Sequence, residues 1–226
     1  MVWVSKRMKN AAQQFGTDRV YSLKEAIESI EKFPKVKFDE TVELHFSLNI
    51  DTKNSDHVIR GTVVLPHGTG KNVRIAVFCK GEQEQKAKEV GADHIGAEEL
   101  IDRVSKGFMD FDVVIATPDM MRDLSKLGKI LGPRGLMPTP KAGTVSADVA
   151  KAIREVKAGK IEFKSDKQAG IHVSVGKRSF AKEKLLDNAN HVVEAINHVK
   201  PASVKGNLLK NVFLSTTMGP GLKVAI

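Results

Sequence analysis

The chain has 226 residues, 41% hydrophobic and 5% aromatic, and its 36 basic and 27 acidic side chains leave a formal net charge of +9. That apolar share supports packed cores and excludes a disordered tail, and the basic excess points to a polyanion, either nucleic acid or an acidic membrane surface. Cys79 is the only cysteine, which excludes an intrachain disulfide and fits a reducing compartment.

Taken in chain order, MVWVSKRMKN lacks the apolar core of a signal peptide, and no later stretch approaches a membrane span, so a cytoplasmic protein with no membrane partner is expected. SLKE, Ser22 to Glu25, is a capping box opening an amphipathic helix that stops before Pro34. TVELHFSLNI, Thr41 to Ile50, alternates cleanly. Val42, Leu44, Phe46, Leu48 and Ile50 face one way, while Thr41, Glu43, His45, Ser47 and Asn49 face the other. A strand with one solvated face suits an antiparallel or mixed sheet. A further short strand is expected at Thr62 to Leu65.

The pattern then changes. Val73 to Cys79 is a continuous apolar run in which Cys79 reads as a small buried hydrophobe. GEQEQKAKEVG is an exposed helix ending at a glycine, Ala92 to Ile95 a strand, Ala97 to Lys106 a helix, and Asp112 to Ala116 a third strand. Pro118 suits the first turn of the next helix. Leu127 to Gly143, LGKILGPRGLMPTPKAG, combines glycines, prolines and basic residues with no acid, and reads as an ordered, exposed, irregular basic loop. A helix at Ala147 to Lys157 follows, with Val149, Ile153 and Val156 at helical spacing. This alternation argues for parallel βαβ units. Beyond it the earlier style returns, with strands at Ile161 to Lys164, Ile171 to Val175 and Asn211 to Thr217 and a helix at Lys182 to Val199.

The expected fold is therefore α/β: an α+β outer domain from residues 1–66 plus 160–226, interrupted by a Rossmann-like domain at residues 67–159. The junctions PHGTGK and KAGK would form a two-stranded hinge. Two consecutive domains are the alternative that the sequence leaves open.

Enzyme readings find little support. HGTGKN has Leu65 and Asn72 where a phosphate loop needs glycine and a hydroxyl residue, and it precedes a strand where a dinucleotide fingerprint follows one. The histidines are scattered, with no metal-ligand spacing and no nucleophile elbow. No cofactor, metal, catalytic residue or small-molecule substrate is expected. The rival reading, a Rossmann-type enzyme holding a nucleotide at its sheet edge, lacks the glycine pattern.

Residues 160–226 hold 11 basic against 5 acidic residues, so the charge excess is concentrated there. The same segment contains STTMGPG, Ser215 to Gly221. Few aromatics are available for stacking, so an RNA partner would be a folded one, read through shape, riboses and phosphates. Thr216 and Thr217 would supply hydroxyls, Met218 an adaptable apolar contact and Gly219 close approach. A plain strand-ending turn is the bland alternative.

The run LGKILGPRGLMPTPKAGTV closely resembles the bacterial form of the L-one family of large-subunit ribosomal proteins. KFDETVELHFSLNID, RGTVVLPHGTGK, FDVVIATPDMM, IEFKSDKQAGIHVSVGK and STTMGP are similar to the family's other blocks, in the family's order. The resemblance spans roughly Thr17 to Pro220, and Met1 to Gly16 matches only as a basic arm. It implies a non-enzymatic, ribosome-associated protein that is a monomer when free of the ribosome. Such a protein binds the rRNA of the mobile stalk near the exit site, assists release of deacylated tRNA and represses its own mRNA. It also implies an RNA surface of Lys37, Phe38, Thr41 and Glu43; Asp166, Lys167, Gly170 and His172; and Ser215, Thr217, Met218 and Gly219. A carboxylate such as Glu43 or Asp166 would accept from a 2′-hydroxyl or base amino group, or orient a lysine.

Overall fold

The computed structural model describes residues 5–15, 19–52, 57–201, 204 and 206–225. The first four residues of the basic arm, and Gly16, lie outside them. The chain folds as two compact units, one from Met1–Gly70 with Ile161–Ile226 and one from Lys71–Lys160.

The discontinuous unit is built on a mixed sheet. Its strands are β1 (Val20–Ser22), β2 (Thr41–Leu48), β8 (Gly170–Lys177), β9 (Leu209–Thr216) and β10 (Leu222–Ala225), in the order β1-β10-β9-β2-β8. β2 is antiparallel to both neighbours, and β1 runs parallel to β10 at one edge. Along β2 the alternation is realised residue by residue: Val42, Leu44, Phe46 and Leu48 are buried, and the intervening side chains reach the surface. Ile50 lies past the end of the strand and still packs on the core. Helix α2 (Leu23–Ile30) and helix α8 (Lys182–His198) cover the buried face.

The capping box forms as expected. The Glu25 N–H donates to Ser22 Oγ (3.3 Å) and the Ser22 N–H to Glu25 Oε2 (3.2 Å), satisfying two helix-end donors at once. Helix α8 presents Leu185, Ala189, Val192 and Ile196 to the core along one stripe. Asn188 sits fully buried on that stripe because every polar group has a partner: Nδ2 donates to Val175 O (2.8 Å) and Gly68 O (3.0 Å), and Oδ1 accepts from the His67 N–H (3.1 Å). A separate two-stranded sheet pairs β3 (Arg60–Val64) with β7 (Lys160–Lys164), and Phe163 lies so close over Gly61 that a Cβ there would be 2.7 Å from its ring.

Three elements of this unit lacked a sequence signal. They are α1 (Lys6–Phe15), which buries Ala11 and Phe15, and the short strands β1 and β10. β1 and β10 have three and four residues, too few for periodicity to register.

The second unit contains a three-stranded parallel sheet, β4 (Ile75–Phe78), β5 (His94–Gly96) and β6 (Val113–Ala116), in the order β5-β4-β6. All four residues of β4 are buried because both faces are covered. Ala76 and Phe78 join one apolar cluster with α4 (Glu98–Ser105), and Ile75 and Val77 join another with α3 (Glu82–Glu89) and α7 (Val149–Lys157). Cys79 is buried at the end of this strand, and burial, with a smaller effect of Glu84, pushes its thiol up to about 11, so it stays an unreactive thiol. Pro118 opens a 3-10 turn, Pro118–Met120, which leads into α5 (Met121–Leu124).

The basic segment 127–143 departs from expectation. It contains the helical turn α6 (Gly128–Leu131) and a 3-10 turn at Pro140–Ala142, with Leu127, Leu131, Pro138 and Ala142 buried and Leu136 and Met137 packed on the core. Its apolar residues, interleaved among the glycines and prolines, anchor it as a folded flap. Lys129, Arg134 and Lys141 remain exposed.

Candidate nucleic-acid interface

The open face of the five-stranded sheet gathers residues that lie far apart in sequence. The β8-β2-β9 register places Thr41 beside Lys177, Glu43 between Ser174 and Ser215, His45 between His172 and Phe213, and Ser47 between Gly170 and Asn211. Six strand steps separate Thr41 from Ser47, roughly 20 Å. The expected site residues therefore occupy one strip of surface with an end at Thr41 and another at Asp166.

At the first end, β2 and β9 are tied by reciprocal bonds. The Thr41 N–H donates to Thr217 Oγ1 (3.0 Å), and the Thr217 N–H donates to Thr41 O (3.0 Å). Lys177 Nζ donates to Thr41 Oγ1 (3.0 Å). Thr217 is exposed, and Met218 leaves 46% of its surface open. The Met218 backbone is held from both sides, its N–H donating to Glu40 Oε1 (3.0 Å) and its carbonyl accepting from Arg7 (2.8 Å).

Thr216 corrects one expectation. Its hydroxyl donates inward to Glu40 Oε1 (3.1 Å) and its side chain is 2% exposed. Strand alternation sends it to the opposite face from Ser215, so only Thr217 of the pair offers a surface hydroxyl. Gly219 has an internal reason to be glycine, since a Cβ would fall 2.3 Å from Thr216 Oγ1 and 2.7 Å from the Phe33 ring.

Glu40 and Arg178 support this corner from beneath, and sequence reasoning missed both. Glu40 is almost wholly buried, pairs with Arg178 and accepts from Thr216 and Met218. Arg178 also donates to Phe33 O (2.7 Å), fixing the chain that leads to Lys37 and Phe38. Lys37 is exposed, and Phe38, 54% exposed, borders a groove lined by Glu31, Lys35, Val36, Asp39, Arg178 and Ser179. A lone charged residue before a strand carries no signal that it will be buried. Its partner, 138 residues away, supplies the reason.

At the other end, the β7–β8 turn is built around Asp166. Its Oδ1 accepts from the Gly170 N–H (2.6 Å) and the Gln168 N–H (2.8 Å), which holds the carboxyl below its usual range, the Gly170 bond contributing most. Lys167 is exposed at the tip. A Cβ at Gly170 would lie 3.0 Å from Asp166 Oδ2 and 3.2 Å from His172 Nε2, a tight fit to which those side chains would have to yield.

The two ends are joined by histidines. His45 Nδ1 lies 2.9 Å from His172 Nδ1, and His45 Nε2 lies 2.8 Å from Ser215 Oγ. Burial, then the nearby His172, lowers the His45 pKa below its ordinary 6.5, with Glu43 opposing. His45 was absent from the expected site, although alternation puts it on the same face as Thr41 and Glu43. Among the described residues no cluster of three or more His, Cys, Asp or Glu is arranged to hold a metal ion, and no helix is long and apolar enough to cross a membrane.

A two-unit α/β protein with one open sheet face of hydroxyls, imidazoles and glycines, rimmed by lysines, has the makings of a non-catalytic nucleic-acid binder. Residues 24–220 match the Ribosomal protein L1p/L10e family, and the chain belongs to it. It is similar to "Large ribosomal subunit protein uL1" of Thermosipho africanus, with 55% identity over 97% of this chain and 95% of the relative. The proteins of the same description from Thermosipho melanesiensis and Protochlamydia amoebophila are each 53% identical over 97% of this chain, which covers 95% and 93% of them respectively.

Proposed function

We infer that the protein is a structural constituent of the large ribosomal subunit, ribosome-associated in the cytoplasm, and not an enzyme. We propose that residues 1–66 with 160–226 form its rRNA-binding domain and that residues 67–159 form an inserted Rossmann-like domain. The RNA is the mobile stalk of the large subunit near the exit site. Bound there, the protein assists release of deacylated tRNA, and it represses its own mRNA through a leader resembling the rRNA site. Free of the ribosome it is a monomer.

The observation that supports this reading is the convergence on one open sheet face of Thr41, Glu43, Gly170, His172 and Ser215, with exposed Thr217 and Met218 at one end and Asp166 and Lys167 at the other. Hydroxyls and imidazoles suit riboses, an exposed methionine suits an irregular apolar surface, and lysines suit phosphates. Thr217→Ala and Met218→Ala are expected to weaken binding to a transcribed stalk rRNA fragment by about tenfold each, if each removes one good contact. Thermal unfolding checks that each variant stays folded. Unchanged affinity in a filter-binding titration of both variants would place the RNA elsewhere.

A further inference from the structure

His45 has a heavy-atom neighbour at each ring nitrogen, His172 Nδ1 at 2.9 Å and Ser215 Oγ at 2.8 Å. Two facing Nδ1 atoms can share only one proton between them, so the tautomer of one ring dictates that of the other. The surrounding charges set the choice. On the β8 side, the Asp166 carboxylate is anchored by two backbone N–H groups and lies 3.8 Å from His172 Nε2. On β2, Glu43 lies 3.9 Å from His45 Nε2, and Lys177 of β8 is bonded to Thr41. The neighbours on β9, Phe213 and Ser215, are uncharged.

We propose that His172, His45 and Ser215 form a hydrogen-bonded relay, biased by the nearby Asp166 carboxylate and with His45 as the positioning residue, that sets the direction in which the Ser215 hydroxyl bonds a ligand. With both rings neutral, the anchored Asp166 favours a proton on His172 Nε2. His172 Nδ1 then accepts from His45 Nδ1–H, His45 Nε2 accepts from the Ser215 hydroxyl, and the serine turns its lone pairs outward. A ribose 2′-hydroxyl or a base amino group, each a donor, fits that state.

One added proton goes to His172, which is more exposed than His45 and faces Asp166. His172 Nδ1–H now donates to His45 Nδ1, the His45 proton moves to Nε2, and that N–H donates to Ser215 Oγ. The serine hydroxyl hydrogen is released outward, Glu43 stabilises the new His45 N–H, and the surface group becomes a donor.

The assignment of RNA as the ligand rests on the function proposed above; the relay itself does not. Long-range proton–nitrogen NMR of the free full-length chain reads the ring tautomers directly. At about pH 8 the proton is expected on His45 Nδ1 and His172 Nε2, with His45 switching to Nε2 in a second sample at about pH 5.5. His172→Gln should abolish the His45 switch. A His45 proton on Nε2 at about pH 8, or a His45 switch unaffected by His172→Gln, would overturn the relay.

The second measurement is the affinity ratio of wild type to Ser215→Ala for a transcribed stalk rRNA fragment, a ratio that cancels the general charge effect of pH. It should change roughly tenfold between the two pH values and become pH-independent in a His45→Gln background. A constant wild-type ratio, or the same pH dependence with His45→Gln, would also overturn it. If wild type binds no stalk RNA at any pH, the functional reading fails, and the tautomer pattern still decides the relay.

Discussion

The two units use sheets in opposite ways. In residues 71–160 the central strand β4 is buried on both faces, and consecutive side chains enter different cores. In the discontinuous unit β2 buries alternate side chains and leaves the others open. A parallel sheet wrapped by helices has no face to spare, whereas an antiparallel one packed on a single side can offer the other to a ligand. The difference explains why the candidate surface collects on the five-stranded sheet and why hydroxyls and histidines are tolerated there at every other position.

The sharpest way to break this comparison is to substitute neighbours along each strand. Val77→Ala and Phe78→Ala, consecutive on β4, should each cost at least ~2 kcal/mol, the phenylalanine nearer ~3–5. On β2, Phe46→Ala should cost about 3–5 kcal/mol while Ser47→Ala stays within about 0.5. Chemical denaturation measures both, and equal losses at Phe46 and Ser47 would erase the one-sided picture. Next in size, Glu40→Ala leaves the half-buried Arg178 without its carboxylate, an expected loss of about 3 kcal/mol. The same variant should loosen the Met218 corner and weaken RNA binding, and RNA affinity equal to wild type in a folded Glu40→Ala protein would detach that corner from the site.

Smaller effects sharpen the electrostatic side. Lys167→Ala should reduce the slope of log affinity against log salt by about 1, the loss of one phosphate contact. An unaltered slope removes Lys167 from the surface. In the other unit, Asp112 accepts from Lys71 and Arg74, and the Lys71 bond most of all lowers its carboxyl from 3.8 to about 2. A depressed carboxylate stabilises the fold above its unfolded pKa, and that contribution fades as pH falls through the folded value. Melting temperature should therefore drop between about pH 4 and pH 2, and less steeply in Asp112→Asn.

Much of the architecture was legible because it repeats along the chain. Alternation in TVELHFSL, the capping box at Ser22 and Glu25, the apolar run ending at Cys79 and the stripe on α8 are local patterns, and each became the element it implied. The apolar anchoring of segment 127–143 was hidden by its glycines and prolines. Thr216 was misplaced although the expected strand already included it, because alternation along β9 turns it inward, one residue before Thr217 emerges.

Composition, charge distribution and hydrophobic period thus determined by themselves that this is a basic, mixed α/β protein with one half-solvated sheet, since those properties act between residues close in sequence. Tertiary structure alone decided that Glu40 meets Arg178 and that His45 touches both His172 and Ser215, contacts spanning 127 to 170 residues. Such pairings depend on strand order and register, and a short-range pattern holds no record of which strand will lie alongside.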